Sequence, residues 1–307
     1  MKVPLVSIVM NCFNGERFLK EALTSVINQT FKDWEIIFWD NQSTDQSAEI
    51  VKSYNEIRIK YFLAIEKNKL GQARNLAIEK CSGCYICFLD VDDFWDSDKL
   101  NQQINWFNRN PTFGFLYSNY NLVFEKSIKR RILSKNQPQG MVFSKFLENY
   151  PVNLQTVMIK NECIKKLNYL FDSNLELAEE YDFFLRILLT TNAGYIYEPL
   201  AYYRIHSNMT SIVEIEKWPI EMEYILDKYK REVILFNLIY SKSIKQFKAK
   251  ISYYSARVEI LKGNYAIGRR FLFPFVFVNY KITLLYLVSY LGQKTWIFLH
   301  KISSKII

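Results

Sequence analysis

Short β-branched and aromatic runs alternate with amphipathic stretches through the first third of the chain. Residues 5–10 read as a strand, 17–28 as a helix with Phe18, Ala22, Leu23 and Val26 on one face, and 34–39 as a second strand. Residues 46–54 read as a helix, 57–63 as a strand, 71–80 as a helix and 85–89 as another strand. This order predicts a mostly parallel sheet with helices on both faces, in which ligands sit beyond the carboxyl ends of the strands. Polar and acidic residues follow each predicted strand there: Asn11 to Glu16, Asp40 to Asp45, and Asp90 to Asp93.

From 111 to 150 the pattern is less regular, and the basic stretch from Lys126 to Arg131 reads as a surface loop. Residues 156–159 look like a strand and 178–191 like a helix whose Phe184, Ile187 and Leu188 face the core. Beyond Tyr203 the pattern reads as helical to the end. The most apolar region, 271–291, is interrupted by Pro274, Asn279 and Lys281. A spanning helix needs about 20 mostly apolar residues, and Lys281 would fall near the middle of this one, so an interfacial or core helix pair is expected. Arg269, Arg270, Lys281, Lys294, His300, Lys301 and Lys305 surround it, which suits either anionic headgroups or an ordinary solvated basic face.

Composition narrows the class. With 307 residues, half of them hydrophobic and 23% charged, the chain can bury a sizeable core and is neither disordered nor collagenous. A net charge of +9 suggests an anionic partner, whether nucleic acid, membrane surface or phosphorylated substrate. The 21 Tyr and 23 Phe fall mostly at core spacing, which argues against base stacking on nucleic acid. Five cysteines are an odd set, and the apolar run 3–10 leads into Asn11, Asn14 and Gly15 rather than a leader cleavage site, so a reducing cytoplasm is expected. Cys81, Cys84 and Cys87 are spaced C-x-x-C-x-x-C but lack a clear fourth metal ligand, and they read as buried free thiols.

Asp90 and Asp92, two apart at a strand end, would point to one side of an extended chain and repel unless a cation lies between them. Asp93, Asp96 and Asp98 add negative charge nearby, and such oxygen donors suit Mg or Mn; turn and capping roles are the alternative. Ser43, Thr44 and Asp45 are placed to cap the following helix or serve an anion at its amino end. Arg74, near the start of another helix, suits a diphosphate or a salt bridge.

Together, the segments Val6 to Asn14, Asp40 to Asp45, Gly71 to Asn75 and Phe88 to Asp93 resemble the ordered motifs of glycosyltransferase family 2. Ala178 to Arg186 is similar to that family's acidic motif, and Tyr202-Tyr203-Arg204-Ile205-His206 to its Tyr-Arg-x-His segment; the likeness covers roughly 3–211. It implies an α/β fold of the GT-A type, a Rossmann-like mixed sheet flanked by helices, with a helical C-terminal extension. It further implies a nucleotide-sugar donor, with a UDP-sugar expected, and inverting transfer of a single sugar.

By the same resemblance Glu180 is the general base, with Glu179 and Asp182 as rivals because the family more often has Asp at that position. Asp92 and His206 would hold Mn or Mg. Asp40 would meet the nucleobase, the Phe13 backbone would lie against it, Arg74 would reach the diphosphate or ribose, and Asp90 would face the ribose and metal. Cys12, Asn14, Glu16 and Val91 would complete the donor site.

The expected organisation is a catalytic domain over 1–212, with a nucleotide-binding half at 1–100 and an acceptor half at 101–212, followed by a helical, membrane-associating region at 213–307. The acceptor would be a glycan or lipid-linked glycan, the location cytoplasmic or peripheral at the inner face of the membrane, and nucleic acid no partner. A processive synthase is disfavoured because no Gln-x-x-Arg-Trp segment is present. A catalytically idle scaffold of the same fold would be expected to have lost some of the acids or His206, and a nucleotidyltransferase would need a Gly-rich basic loop after the first strand.

Overall fold

The computed structural model describes residues 2–124, 127–131, 133, 136–206, 214–278 and 280–291, with the backbone path alone for 127–131. Its first four strands, β1 (Val6–Cys12), β2 (Trp34–Asp40), β3 (Ile59–Leu63) and β4 (Tyr85–Phe88), are parallel and joined by α1 (Glu16–Ile27), α2 (Ser47–Ser53) and α3 (Leu70–Ile78). β1 lies between β2 and β4, and Val6, Ile8, Val9 and Met10 are all buried, as a strand covered on both faces requires. The register sets Cys12 beside Asp40 and Asp40 beside Leu63, so one rim gathers the strand-end polar residues.

Past β4 the sheet is mixed, where the periodicity predicts a mostly parallel one. Among the described residues the order is β3-β2-β1-β4-β8-β6-β9-β5 with β7 on β6, using β5 (Phe94–Trp95), β6 (Phe113–Phe124), β7 (Ser127–Arg131), β8 (Met158–Lys160) and β9 (Asn192–Ile205). β4–β8, β6–β8, β6–β7 and β5–β9 are antiparallel, while β6 and β9 run parallel.

Two sequence readings fail here: 111–150 is not simply irregular, and the chain past Tyr203 is still strand to Ile205. The cause is physical. Register shifts at Phe113/Phe115, Ser118/Asn119 and Asn119/Tyr120 break the two-residue alternation, Pro199 stands within β9, and Ser118, Asn119 and Asn121 are polar yet buried. The basic stretch expected as a loop forms β7 over 127–131, with Ser127 opposite Phe124 and Arg131 opposite Tyr120.

Helices α4 (Lys99–Arg109), α5 (Phe143–Glu148), α6 (Asn161–Ile164) and α7 (Glu179–Leu188) follow in the same stretch of chain. Phe184, Ile187 and Leu188 are buried on α7 as expected, but the helix ends three residues before Thr191. On α1 the buried face is Leu19, Ala22, Leu23 and Val26; Phe18, expected in the core, is only half-buried. Cys81 is half-buried and Cys84 exposed, against the expectation of buried thiols, and all five cysteines are free.

Gly194 is glycine because β9 passes hard against Trp106 of α4: a Cβ there would stand 2.0 Å from the ring carbon Cη2. Since Trp106 is itself packed edge-on against Phe107 and Phe113, it cannot yield cheaply. Gly194→Ala is expected to cost about 1–3 kcal/mol, visible as a lower Tm; an unchanged Tm would show that Trp106 repacks freely.

The chain groups into two compact units, Met1–Phe143 with Tyr150–Ser207, and Ser144–Asn149 with Asn208–Ile307. The second holds α8 (Lys217–Glu232), α9 (Phe236–Ile239), α10 (Ser241–Leu261), α11 (Tyr265–Leu272) and α12 (Tyr280–Val288), with a 3-10 turn at Phe273–Phe275. Ala249, Ala256, Leu272 and Ile282 form one of its small cores. The apolar segment 271–291 is thus cut into short pieces at Pro274, and no helix among the described residues is long and apolar enough to cross a membrane. Lys294, His300, Lys301 and Lys305 lie outside the described residues.

Candidate active site

The loops after β1 and β2 are stitched to each other. Asn14 holds φ 54°, a left-handed conformation that asparagine tolerates, and its N–H donates to Ser43 Oγ at 3.1 Å. Thr44 N–H donates to Asn14 Oδ1 at 2.8 Å, Glu16 N–H to Asp45 Oδ2 at 2.9 Å, and Gln46 N–H to Glu16 Oε2 at 2.9 Å. Asp45 Oδ1 also accepts Ser47 N–H at 3.0 Å, so of the three expected capping residues Asp45 serves α2 while Ser43 and Thr44 bind the neighbouring loop.

Asp40 is almost wholly buried, accepting Ser43 N–H at 2.8 Å and the Tyr61 hydroxyl at 2.6 Å. Burial, then the bond to Asp40 and its charge, pushes the Tyr61 hydroxyl pKa up. Cys12 is buried, which raises its thiol pKa, whereas Phe13 is exposed with Lys67 Nζ 3.5 Å above its ring. Gly15 lets the turn after β4 come close: a Cβ there would lie 2.7 Å from Val91 Cγ2.

That turn carries the acids. β4 stops at Phe88, and Asp93 N–H donates to the Asp90 carbonyl at 3.1 Å, so a turn rather than strand alternation brings the side chains together. Carboxylate oxygens of Asp90, Asp92 and Asp93 lie within 4.8 Å of one another. Asp93 accepts Arg204 N–H at 2.7 Å on one oxygen, while its buried second oxygen has no hydrogen bond. Burial, then the charges of Asp92 and Asp90, pushes its carboxyl well above the ordinary carboxylate range. Burial also raises the Asp90 carboxyl, with Arg74 opposing and Asp92 reinforcing.

His206 Nε2 stands 3.0 Å from Asp92 Oδ2. Arg204 braces this end: its Nε donates to the Asp92 carbonyl at 2.8 Å, another guanidinium nitrogen pairs with Glu21, and the group lies 4.3 Å over Phe18, whose ring centroid is 5.8 Å from that of His206. Phe18 therefore leaves the core to pack on the site. Converging oxygen donors, one with an unsatisfied buried lone pair, and an adjoining imidazole fit a divalent cation such as Mg or Mn. Asp96 and Asp98 stand outside the cluster: Asp96 Oδ1 accepts Asp98 N–H at 3.0 Å and Asp98 Oδ1 accepts the Thr30 hydroxyl at 2.7 Å.

The three acids of α7 have different fates. Asp182 is fully buried and accepts Arg186 Nε at 2.9 Å, while Arg186 also donates to the carbonyls of Tyr169 and Leu170. Glu179 accepts Arg74 Nη1 at 2.7 Å, and Arg74, only 3% exposed, reaches Asp90 with Nη2 at 3.0 Å. Arg74 is therefore a buried bridge between two carboxylates rather than a surface pair. Glu180 has no hydrogen bond or ion pair among the described residues, and burial pushes its carboxyl up to about 8, with Arg74 opposing and the charges of Glu179 and Asp90 adding.

Sequence reasoning named Asp93 only as added negative charge in the acid cluster, and Tyr203 and Arg204 only within a motif, and gave none of them a role of its own in the site; the Tyr203 hydroxyl is pushed up by burial and then by Asp93, Glu180, Asp92 and Asp90. The third acid within the four residues Asp90-Val91-Asp92-Asp93 was the available signal for Asp93.

Residues 7–159 match the pattern described as Glycosyl transferase family 2. Over 192 residues the chain is 31% identical to the Escherichia coli protein named UDP-Glc:alpha-D-GlcNAc-diphosphoundecaprenol beta-1,3-glucosyltransferase WfgD, covering 62% of this chain and 73% of that one. The chain belongs to glycosyltransferase family 2. This glycosyltransferase is similar in fold to TarS 1–349 from S. aureus, solved with UDP-GlcNAc, at a TM-score of 0.69 and 16% identity over 95% of this chain and 89% of that one. It is also similar to the mannosyltransferase PcManGT from Pyrobaculum calidifontis, solved with GDP-Man and Mn2+, at a TM-score of 0.61 and 14% identity over 83% and 72% of the two chains. These likenesses establish the GT-A fold of the glycosyltransferase, a mixed sheet flanked by helices.

Proposed function

We propose that the chain is an inverting, metal-dependent transferase that moves one hexosyl or N-acetylhexosaminyl unit from a UDP-sugar to a hydroxyl of a glycan or lipid-linked glycan. Surface-polysaccharide assembly at the cytoplasmic face of a membrane is the setting this implies. The carrying observation is a raised, unbonded Glu180 carboxyl that feels the charge of Asp90, a member of the Asp90, Asp92 and Asp93 cluster, while Arg74 ties the neighbouring Glu179 to Asp90. The donor and acceptor kinds are supported by WfgD, whose name specifies a UDP-Glc donor and a diphosphoundecaprenol-linked sugar.

In this reading Glu180 accepts the proton of the acceptor hydroxyl as its oxygen attacks the anomeric carbon, from the face opposite the bond that breaks to the diphosphate oxygen. Asp90, Asp92, Asp93 and His206 would hold Mn or Mg, which when bound offsets charge on the departing diphosphate. Asp40 and the Phe13 backbone would face the nucleobase, and Cys12, Asn14, Glu16 and Val91 would shape the same pocket. Arg74, tied to Glu179, positions Asp90.

Calorimetric titration of UDP and GDP, with and without Mn, is the test. UDP binding that needs the metal and falls at least tenfold in Asp92→Asn is expected, since one carboxylate ligand and the His206 contact go together. Binding of neither nucleotide under any condition would remove the transferase reading.

A further inference from the structure

The second unit contains a cavity of about 460 Å³ between α8, α10, α11 and the 3-10 turn after α11. Leu226, Ile251, Phe271, Pro274 and Phe275 form its apolar wall, and Lys230, Lys248 and Arg270 line it together with Glu223 and Asp227. Lys230 Nζ bonds Asp227 Oδ1 at 2.7 Å, which neutralises that pair. Lys248 and Arg270 are exposed and make no hydrogen bond or ion pair among the described residues, though the charge of Lys248 also acts on Asp227, so three cations line the cavity against two carboxylates.

The chain leaving the cavity is unusually apolar for a wetted surface. Phe273 is 67% and Phe277 100% exposed, and Tyr280, Leu284, Leu287 and Tyr290 follow, each more than half exposed. Exposed aromatic and aliphatic side chains beside an exposed Lys and Arg that hold no hydrogen bond match the layering of a bilayer interface, where acyl chains lie next to phosphates.

We propose that this cavity takes the phosphate of an anionic phospholipid, held by Lys248 and Arg270, while Phe273, Phe277 and Tyr280 enter the acyl region beside it. This goes beyond the reading of the donor site and needs none of its residues.

Flotation of the full chain with vesicles tests it, using phosphatidylcholine alone and phosphatidylcholine mixed with phosphatidylglycerol. Stronger partition onto the mixed vesicles is expected, weakened about fivefold by each of Lys248→Gln and Arg270→Gln. Phe273→Ser/Phe277→Ser should abolish flotation on both vesicle types. Circular dichroism of every variant verifies folding, and UDP titration reads the donor site separately, so a failure here is distinguishable from a failure there.

Equal partition onto the two vesicle types, or flotation of Lys248→Gln/Arg270→Gln equal to that of the unsubstituted chain, would overturn the proposal. So would calorimetric binding of inorganic phosphate that these two substitutions remove in a chain that does not float, which would mark a site for a soluble phosphate. A dimer in analytical ultracentrifugation that Phe273→Ser/Phe277→Ser dissolves, in a chain that does not float, would assign the apolar surface to a second copy and overturn it equally.

Discussion

Glu180→Gln is expected to lower the transfer rate by about 10²–10⁴-fold with UDP binding unchanged, because a neutral amide keeps the shape but cannot take the acceptor proton. The pH profile carries the sign. A base must be deprotonated to act, and the Glu180 carboxyl stands at about 8, so kcat/KM should climb as pH rises and level off above that value. The residual activity of Glu180→Gln should not follow that limb. Full activity in this variant, with loss in Glu179→Gln, would move the base to Glu179; yet Glu179 already accepts Arg74 at 2.7 Å, and Asp182 is committed to Arg186.

The second large effect is on stability. Arg74→Met removes the one guanidinium that joins Glu179 to Asp90, and it leaves the Glu179 carboxylate, 4% exposed, without its cation. Removing one partner of a buried ion pair costs about 3–5 kcal/mol, since the remaining charge has lost both water and partner. A denaturant midpoint that drops accordingly is the expected result. Arg74→Met/Glu179→Met should recover part of the loss, because the second substitution removes the stranded charge. A double variant no more stable than Arg74→Met would show that Arg74 acts through shape or through Asp90 alone. Arg74→Lys should fall between, as one ammonium lacks the two-pronged geometry that reaches both carboxylates.

How much of this was legible depends on how local the cause is. β1, β2 and β4 read directly from their β-branched runs, and so did α1 and α3, because each buries a face whose period is visible in a few residues. β6 and β9 did not, because bulges, Pro199 and buried Ser118, Asn119 and Asn121 break the alternation that a strand otherwise displays. The cysteine trio misled for a related reason: Cys87 lies within β4 and is buried, but Cys84 precedes the strand and is exposed.

By itself the sequence determined the parallel half-sheet, the rim on which Asp40 and Asp90 to Asp93 gather, and the family, since these follow from short-range periodicity and from motifs in order. Tertiary structure decided what each ionisable group is free to do. Arg74 meets Glu179 across 105 residues and Asp92 meets His206 across 114, so the availability of these side chains is set by contacts that no local pattern encodes. Glu180 lacks the bonded partner that Glu179 and Asp182 have on the same helix, and burial of a carboxyl without one is what raises its proton affinity.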